Sequence, residues 1–198
     1  IERRRKGENE SKLSKIIRDD LFDDFTSLVS QSNLDLNSTI EKSFLEPIFK
    51  NEDDEFIDPT LIEYAAYYGS HTIFKYLFMK DVKITKNLFW FSIHGRNYEI
   101  IHLIEKQLNE DDIIDCYNEA IKLHYNEIAV YIEETYLKEK KMPFSSIENC
   151  IRSFNIQMMT RILENNEKIL KEESNFNKFF FYLCEFGYID IVDLILKN

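Results

Sequence analysis

Residues 61–78 have the sequence LIEYAAYYGSHTIFKYLF, which predicts two short helices joined by a tight turn. Ala65 and Ala66 are small residues near the end of the first helix, and Gly69 supplies the positive φ that ends it. Apolar residues then recur at helical spacing between Ile73 and Leu77, which gives the second helix one apolar face. A hairpin of this size cannot bury both of its faces alone, so it needs similar hairpins as neighbours.

Copies of this hairpin lie on both sides of it in the chain. Their equivalent apolar positions are Phe25, Ile73, Ile100, Ile128, Met158 and Ile191. From Ile73 onward the successive intervals are 27, 28, 30 and 33 residues, which is the range of helical-hairpin repeats. In the second copy Arg96 stands where Gly69 stands in the first, and Gly95 is expected to take the turn one residue early. The pattern predicts an all-α solenoid of stacked hairpins. The residues predicted to be buried between hairpins are Ala65, Ala66, Ile73, Leu77, Ile100, Ile104, Ile128, Ile132, Ile191 and Ile195.

Changes in composition and in apolar periodicity along the chain predict three regions. Residues 1–11 form a flexible basic N-terminal segment with Arg3-Arg4-Arg5-Lys6, and residues 12–59 a helical capping region. The capping region is predicted to contain a helix over residues 38–50 and an acidic loop over 51–58. Residues 60–198 form the repeats, and their apolar last helix predicts that the parent protein continues beyond residue 198.

Charge and cysteine content limit the classes of partner. The net charge of −11 argues against broad binding to nucleic acid or to an anionic membrane, and it favours a basic protein partner over an acidic one. No apolar run approaches the length of a membrane span. Three cysteines without a close pair fit a reducing compartment, and a cytoplasmic location with small, buried cysteines is expected.

The chain lacks the sequence patterns of common active sites. Four glycines spread over 198 residues cannot form a glycine-rich phosphate loop, and the four histidines share no metal-ligand spacing. The paired carboxylates are adjacent in sequence, so they suit helix starts and exposed faces better than acid–base chemistry. We therefore expect no enzymatic activity, no cofactor, no metal and no small-molecule substrate.

Two stretches resemble ankyrin repeats. Ala65-Ala66-Tyr-Tyr-Gly69 with Ile73 and Leu77 matches that family's small-residue pair, glycine and apolar run, and so does the segment from Leu183 to Asn198. Residues 12–107 are also similar to a large protist family in which a helical N-terminal region precedes ankyrin repeats. Glu63 stands at the position of the ankyrin histidine, which puts the hydrogen bond that ties neighbouring ankyrin repeats in question.

The ankyrin resemblance implies a protein-binding scaffold with a concave surface made by the first helices. The candidate partner-binding residues on it are Tyr67, Tyr68, His94, Arg96 and Lys122. Adjacent helical residues are about 100° apart, so at least one of the two tyrosines is expected to be exposed. A structural spacer or assembly component within a larger complex is the alternative, and a regulatory segment of an enzyme outside this chain is a third.

Overall fold

The structure is a computed structural model that describes residues 9, 11–41, 43, 46, 57–138, 140, 142–166 and 168–197. Within these residues the chain forms twelve α-helices and no strand, so the all-α prediction is confirmed. An isolated antiparallel bridge joins Thr39 to Thr60. The basic N-terminal run and most of the predicted acidic loop lie outside the described residues.

The helices are short and follow one another closely. In chain order they are α1 Lys12–Arg18, α2 Phe22–Ser32, α3 Leu61–Tyr67, α4 His71–Met79, α5 Asn87–Gly95, α6 Tyr98–Ile104, α7 Glu110–Lys122, α8 Asn126–Ile132, α9 Phe144–Arg152, α10 Ile156–Asn165, α11 Glu173–Glu185 and α12 Ile189–Lys197. A 3₁₀ turn over Glu105–Gln107 follows α6, and a π-helical turn over Glu133–Leu137 follows α8.

The twelve helices of the described residues follow one another as six hairpins, from α1–α2 to α11–α12, and the turns of these hairpins share one backbone conformation. One residue in every turn has a left-handed backbone, and these six residues are Asp20, Gly69, Arg96, His124, Phe154 and Gly187. The N–H of each donates to the carbonyl three residues earlier, and in five of the turns the next N–H donates to the carbonyl five residues before it. These are the two hydrogen bonds of a Schellman motif. The predicted positive φ of Gly69 and Gly187 is confirmed, at +68° and +76°.

The prediction that Gly95 takes the turn of the third hairpin is wrong. Arg96 itself has a φ of +51°, whereas Gly95 is the last residue of α5. Gly95 is needed for a different reason, because a side chain there would collide with the backbone of α3.

The chain divides into two compact units between Asp112 and Ile113. In the first unit α3 packs against α1 and α5, while α4 packs against α2 and α6. First helices therefore form one layer and second helices another. In the second unit α9 packs against α10 and α11, and α11 packs against α12.

Eight of the ten predicted core residues are buried, from Ala65 to Ile132. The prediction is wrong for Ile191 and Ile195, which are half-buried on α12. The main packing of α12 is against α11, and no residue of α12 is buried. Of the three cysteines, Cys116 and Cys150 are buried as expected and Cys184 is exposed.

The helix predicted over residues 38–50 is absent from the described part of that range. Ile40 N–H donates to the Pro59 carbonyl at 2.7 Å, and Leu61 N–H donates to the Ser38 carbonyl at 3.2 Å. The Ser38 carbonyl, which a helix over residues 38–50 would use internally, is thus engaged across the bridge. Residues 42, 44, 45 and 47–50 of that predicted helix lie outside the described residues.

Candidate functional site

The first unit carries a cluster of half-buried aromatic rings on α3 and α5. The His94 ring stacks on Tyr67 with centroids 5.1 Å apart, and Trp90 packs against the same histidine at 4.2 Å. Phe91 lies beneath them, fully buried, with its edge contacts to Tyr67 and Trp90 at 6.0 and 5.0 Å. We call Tyr67, Trp90 and His94 the aromatic face. Each of the three keeps part of its surface in solvent.

Tyr68 belongs to a second and more buried cluster. Its hydroxyl donates to Glu46 Oε1 at 3.0 Å, and the Tyr64 hydroxyl donates to the same carboxylate oxygen. The Arg18 Nη1 atom lies 3.7 Å from that oxygen, and its guanidinium lies 5.8 Å from the centroid of the Tyr68 ring. Burial, together with the Glu46 carboxylate, raises the pKa of Tyr64, and burial followed by the charge interactions with Tyr64 and Glu46 raises the pKa of Tyr68. Both phenols therefore stay protonated and donate.

The two adjacent tyrosines thus differ in their contacts. Tyr67 packs forward onto the next hairpin, through His94 and Phe91. Tyr68 packs back onto Tyr64, with ring centroids 4.8 Å apart. Both are half-buried, so the prediction that at least one of them is exposed is wrong. The 100° between neighbours on a helix directs one ring forward and the other back, and each ring meets a contact that covers part of it.

The two basic candidate residues, Arg96 and Lys122, are both exposed. Arg96 follows His94 by two residues and occupies the left-handed turn position. Lys122 belongs to the second unit, where its Nζ lies 3.4 Å from Glu119 Oε2. The structure therefore brings Tyr67, Tyr68 and His94 together, and it describes Lys122 in a different unit.

Polar side chains hold α3 and α5 in register. Glu63 forms a capping box with Thr60 at the start of α3, and its other carboxylate oxygen accepts from the Thr85 hydroxyl ahead of α5. Asn97 Nδ2 donates to the Gly69 carbonyl at 3.1 Å, which joins two consecutive turns. Glu63 accordingly forms a tie between two consecutive hairpins.

Two residues of these clusters were missed in the sequence. Trp90 is the one tryptophan in the chain and lies four residues before His94 on the same helix, a spacing that places both side chains on one face. That signal was available. Glu46 had none, since it lies 18 residues from Tyr64 and outside any regular element.

The second unit contains an ion-pair network in which Glu133 is buried, Arg161 is half-buried and Glu134 is exposed. Glu133 accepts from Arg161 Nε and Asn165 Nδ2, both at 2.8 Å, and Glu134 accepts from Arg161 Nη2 at 2.9 Å. The nearby Tyr117 hydroxyl is buried without a hydrogen-bond partner among the described residues, and burial with the Glu133 charge raises its pKa. This network contains no nucleophile paired with a base.

A cavity of about 640 Å³ also lies in the second unit, between Met142 and the segment from Glu164 to Glu172. Its lining combines apolar side chains with amide and carboxylate groups. No group of three or more histidine, cysteine or carboxylate side chains in the described part of the chain could hold a metal ion. Every helix in that part is too short or too polar to span a bilayer.

Residues 79–138 match the model of a family described as a domain of unknown function (DUF3447). No curated protein and no solved structure matches the chain.

Proposed function

We propose that this protein is a non-enzymatic protein-interaction module and that its partner binds to the aromatic face. The observation that carries the proposal is the ring cluster of Tyr67, His94 and Trp90, which is half-exposed at a layer of packed first helices. The rings contact one another, and the part of each ring that stays in solvent is what we propose the partner contacts.

The composition of the face is typical of interaction hot spots. Tyrosine and tryptophan offer large amphipathic surfaces at low cost in side-chain entropy, and they are enriched among residues that dominate binding energy. The rings also support each other before any partner arrives, since Phe91 lies beneath them and Glu63 ties α3 to the entry of α5. A preorganised surface loses less entropy on binding.

Ankyrin-like stacking of the hairpins within each unit is part of the proposal. It is supported by the six equivalent left-handed turns and by the layers of first and second helices in the first unit. The predicted partner surface of an ankyrin-like module includes Arg96 and Tyr68 beside the aromatic face, and Lys122 in the second unit. We propose a basic partner, because the chain has a net charge of −11. We propose a cytoplasmic location, because three cysteines without a close pair in the sequence fit a reducing compartment.

Affinity capture with variants of the face tests the proposal. The Tyr67→Ala/Trp90→Ala double variant removes no hydrogen bond to Glu46, whereas a change at Tyr68 would remove one. Tyr98→Ala serves as the matched control, since Tyr98 is 40 % exposed and lies on α6.

Partners captured by the parent chain should be depleted with the double variant and retained with Tyr98→Ala, at equal melting temperatures. Equal capture by the parent and a folded double variant would show that the aromatic face is not the interface.

An assembly role is the second candidate, and the exposed side of α12 favours it. Leu194 and Leu196 are 62 and 70 % exposed on that helix, and exposed large apolar side chains can contribute to an interface. Affinity capture of partners from an extract, before and after large complexes are dissociated, distinguishes the interaction module from the assembly component. A single stoichiometric partner that survives dissociation supports the interaction module, and loss of all capture supports the assembly component.

A further inference from the structure

Phe154 occupies the left-handed position of the turn between α9 and α10, with a φ of +57°. A bulky side chain with positive φ is a true conformational outlier, and such strain persists only where the surroundings impose it. The equivalent residues of the other five turns are two glycines, an aspartate, an arginine and a histidine. The Phe154 side chain is nevertheless 59 % exposed, so burial in the core does not explain a phenylalanine at this position.

The Phe154 ring belongs to an apolar patch that spans two consecutive turns. It stacks on Tyr188 with centroids 5.6 Å apart and meets the edge of Phe186 at 6.3 Å. Ile156 and Ile189, at the starts of α10 and α12, are 53 and 72 % exposed. We call Phe154, Ile156, Phe186 and Ile189 the turn patch.

The two isoleucines occupy the same position in their hairpins. Ile156 N–H donates to the Phe154 carbonyl at 3.0 Å, and Ile189 N–H donates to the Gly187 carbonyl at 2.9 Å. In the preceding hairpin the equivalent residue is Asn126, whose amide donates to Gln157 at 2.8 Å. The apolar row therefore begins at the turn of Phe154 and continues to the turn of Gly187.

The border of the turn patch carries negative charge. The cation beside it, Arg152, is already paired, because its Nε donates to Glu148 Oε1 at 2.8 Å while its guanidinium lies 5.3 Å from the Phe186 ring centroid. Glu185 and Asp190 flank Phe186 and Ile189 in sequence, and both are exposed. Neither has an ion-pair partner among the described residues.

We propose that the turn patch docks a basic amphipathic segment of a protein partner. Apolar side chains of that segment would lie against Phe154 and the two isoleucines, and its lysines or arginines would approach Glu185 and Asp190. A second copy of this chain fits less well, because it would bring the same carboxylates together. The turn patch lies in the second unit and does not rest on the aromatic face of the first.

The test measures the binding of synthetic peptides to the full chain by fluorescence anisotropy. The probe is a helical peptide of leucine, phenylalanine, lysine and arginine with its apolar residues on one face. A peptide of the same composition in scrambled order and a peptide with glutamate in place of the basic residues are the controls. We expect the amphipathic peptide to bind about tenfold more tightly than the scrambled one, and the acidic peptide not to bind.

Phe154→Gly/Ile189→Ser is the decisive variant. Glycine suits the left-handed turn, so the melting temperature should not fall, yet the preference for the amphipathic peptide should disappear. Ile156→Ser provides a second, independent change outside the strained position. The Tyr67→Ala/Trp90→Ala variant should bind the peptide like the parent, which separates this surface from the aromatic face.

Three results would overturn the proposal. The first is equal affinity for the amphipathic and scrambled peptides. The second is unchanged binding in both Phe154→Gly/Ile189→Ser and Ile156→Ser. The third is a dimer of the parent chain in sedimentation that the Phe154→Gly/Ile189→Ser change converts to a monomer, because a second copy would then be the occupant.

Discussion

Gly95 of α5 lies directly against the carbonyl of Ala66 in α3, so close that a Cβ on Gly95 would be 1.9 Å from the Ala66 oxygen. The approach is reciprocal, because a Cβ on Gly69 would lie 2.7 Å from the Gly95 oxygen. Both obstacles are backbone atoms, which cannot rotate away. Because neither Gly69 nor Gly95 has a side chain, α3 and α5, the two helices that carry the aromatic face, can approach this closely.

Gly95→Ala should separate α3 from α5 and destabilise the protein by about 1–3 kcal/mol, the usual cost of overpacking. The loss should appear in urea unfolding even though alanine favours a helix more than glycine does. Gly187→Ala is the matched control, since no atom lies within 4 Å of a Cβ there and its cost arises from positive φ alone. A Gly95→Ala protein as stable as the parent would disprove the close approach.

Leu77→Ala should cost roughly 2–5 kcal/mol, because Leu77 is fully buried between the layers of the first unit. The same change at Leu196, which is 70 % exposed, should alter the free energy of unfolding by less than about 0.5 kcal/mol. Urea unfolding of both variants measures the difference. Similar values for the two would contradict the assigned packing of α4.

Asp20→Ala should destabilise the first unit by about 0.5–2 kcal/mol. The Asp20 carboxylate accepts from the N–H groups of Thr72 and Ile73 at 2.9 Å each, so it caps α4 from a neighbouring hairpin. Asp19→Ala is the control, since its side chain is exposed and does not accept from the start of α4. Thermal unfolding should show a lower melting temperature for Asp20→Ala alone, and equal values would rule out the cap.

The stability of the protein should fall above pH 9, in part through Cys150. Burial raises the pKa of this thiol from 9.0 to about 12, so the unfolded chain releases its proton first. The contribution of the thiol to stability is fully present below pH 9 and declines as the pH rises toward 12. From pH 9 to 10 the loss should be about 1 kcal/mol.

Urea unfolding at pH 8, 9 and 10 measures that loss. Cys150→Ala should decrease the dependence on pH, whatever it does to stability at pH 8. Cys184→Ala, at an exposed thiol, should leave the dependence unchanged. The same pH profile for the parent and Cys150→Ala would show that Cys150 does not contribute.

Binding of the basic amphipathic peptide should weaken as NaCl is raised from low to physiological concentration. The screening length shortens from about 30 Å at 0.01 M to about 8 Å at 0.15 M, which reduces attraction between the peptide and the carboxylates of Glu185 and Asp190. A peptide with glutamine in place of its basic residues should lack this dependence. An affinity that does not change with salt would show that electrostatic attraction does not contribute to peptide binding.

The helical hairpins were predictable because their signals are local. A small or flexible residue at the turn and an apolar stripe of period 3.6 lie within a single stretch such as residues 61–78. The turn at Phe154 was not predictable in this way, since phenylalanine is disfavoured at positive φ and only the flanking pattern of α9 and α10 indicated a turn there.

The candidate site was predicted in part. The pair Tyr67 and Tyr68 stood out in the sequence beside His94, but the exposure of each tyrosine depended on which helix its ring met. Tyr68 donates a hydrogen bond to Glu46, 22 residues away, and a contact over that separation produces no periodic pattern in the sequence. Arg96 and Lys122 are exposed, and their role in binding stays a prediction.

Local sequence was sufficient for the all-α class, for most of the core and for the positive φ of Gly69 and Gly187, because backbone preference and helical period act between neighbours in the chain. Long-range packing was required for the rest. Asp20 caps a helix through an N–H group 53 residues away. The need for glycine at position 95 arises from the nearby carbonyl of Ala66 in another helix, and not from the helix that contains Gly95. The surfaces proposed for binding depend on such contacts, since a side chain is exposed or covered only once its neighbouring hairpin has packed.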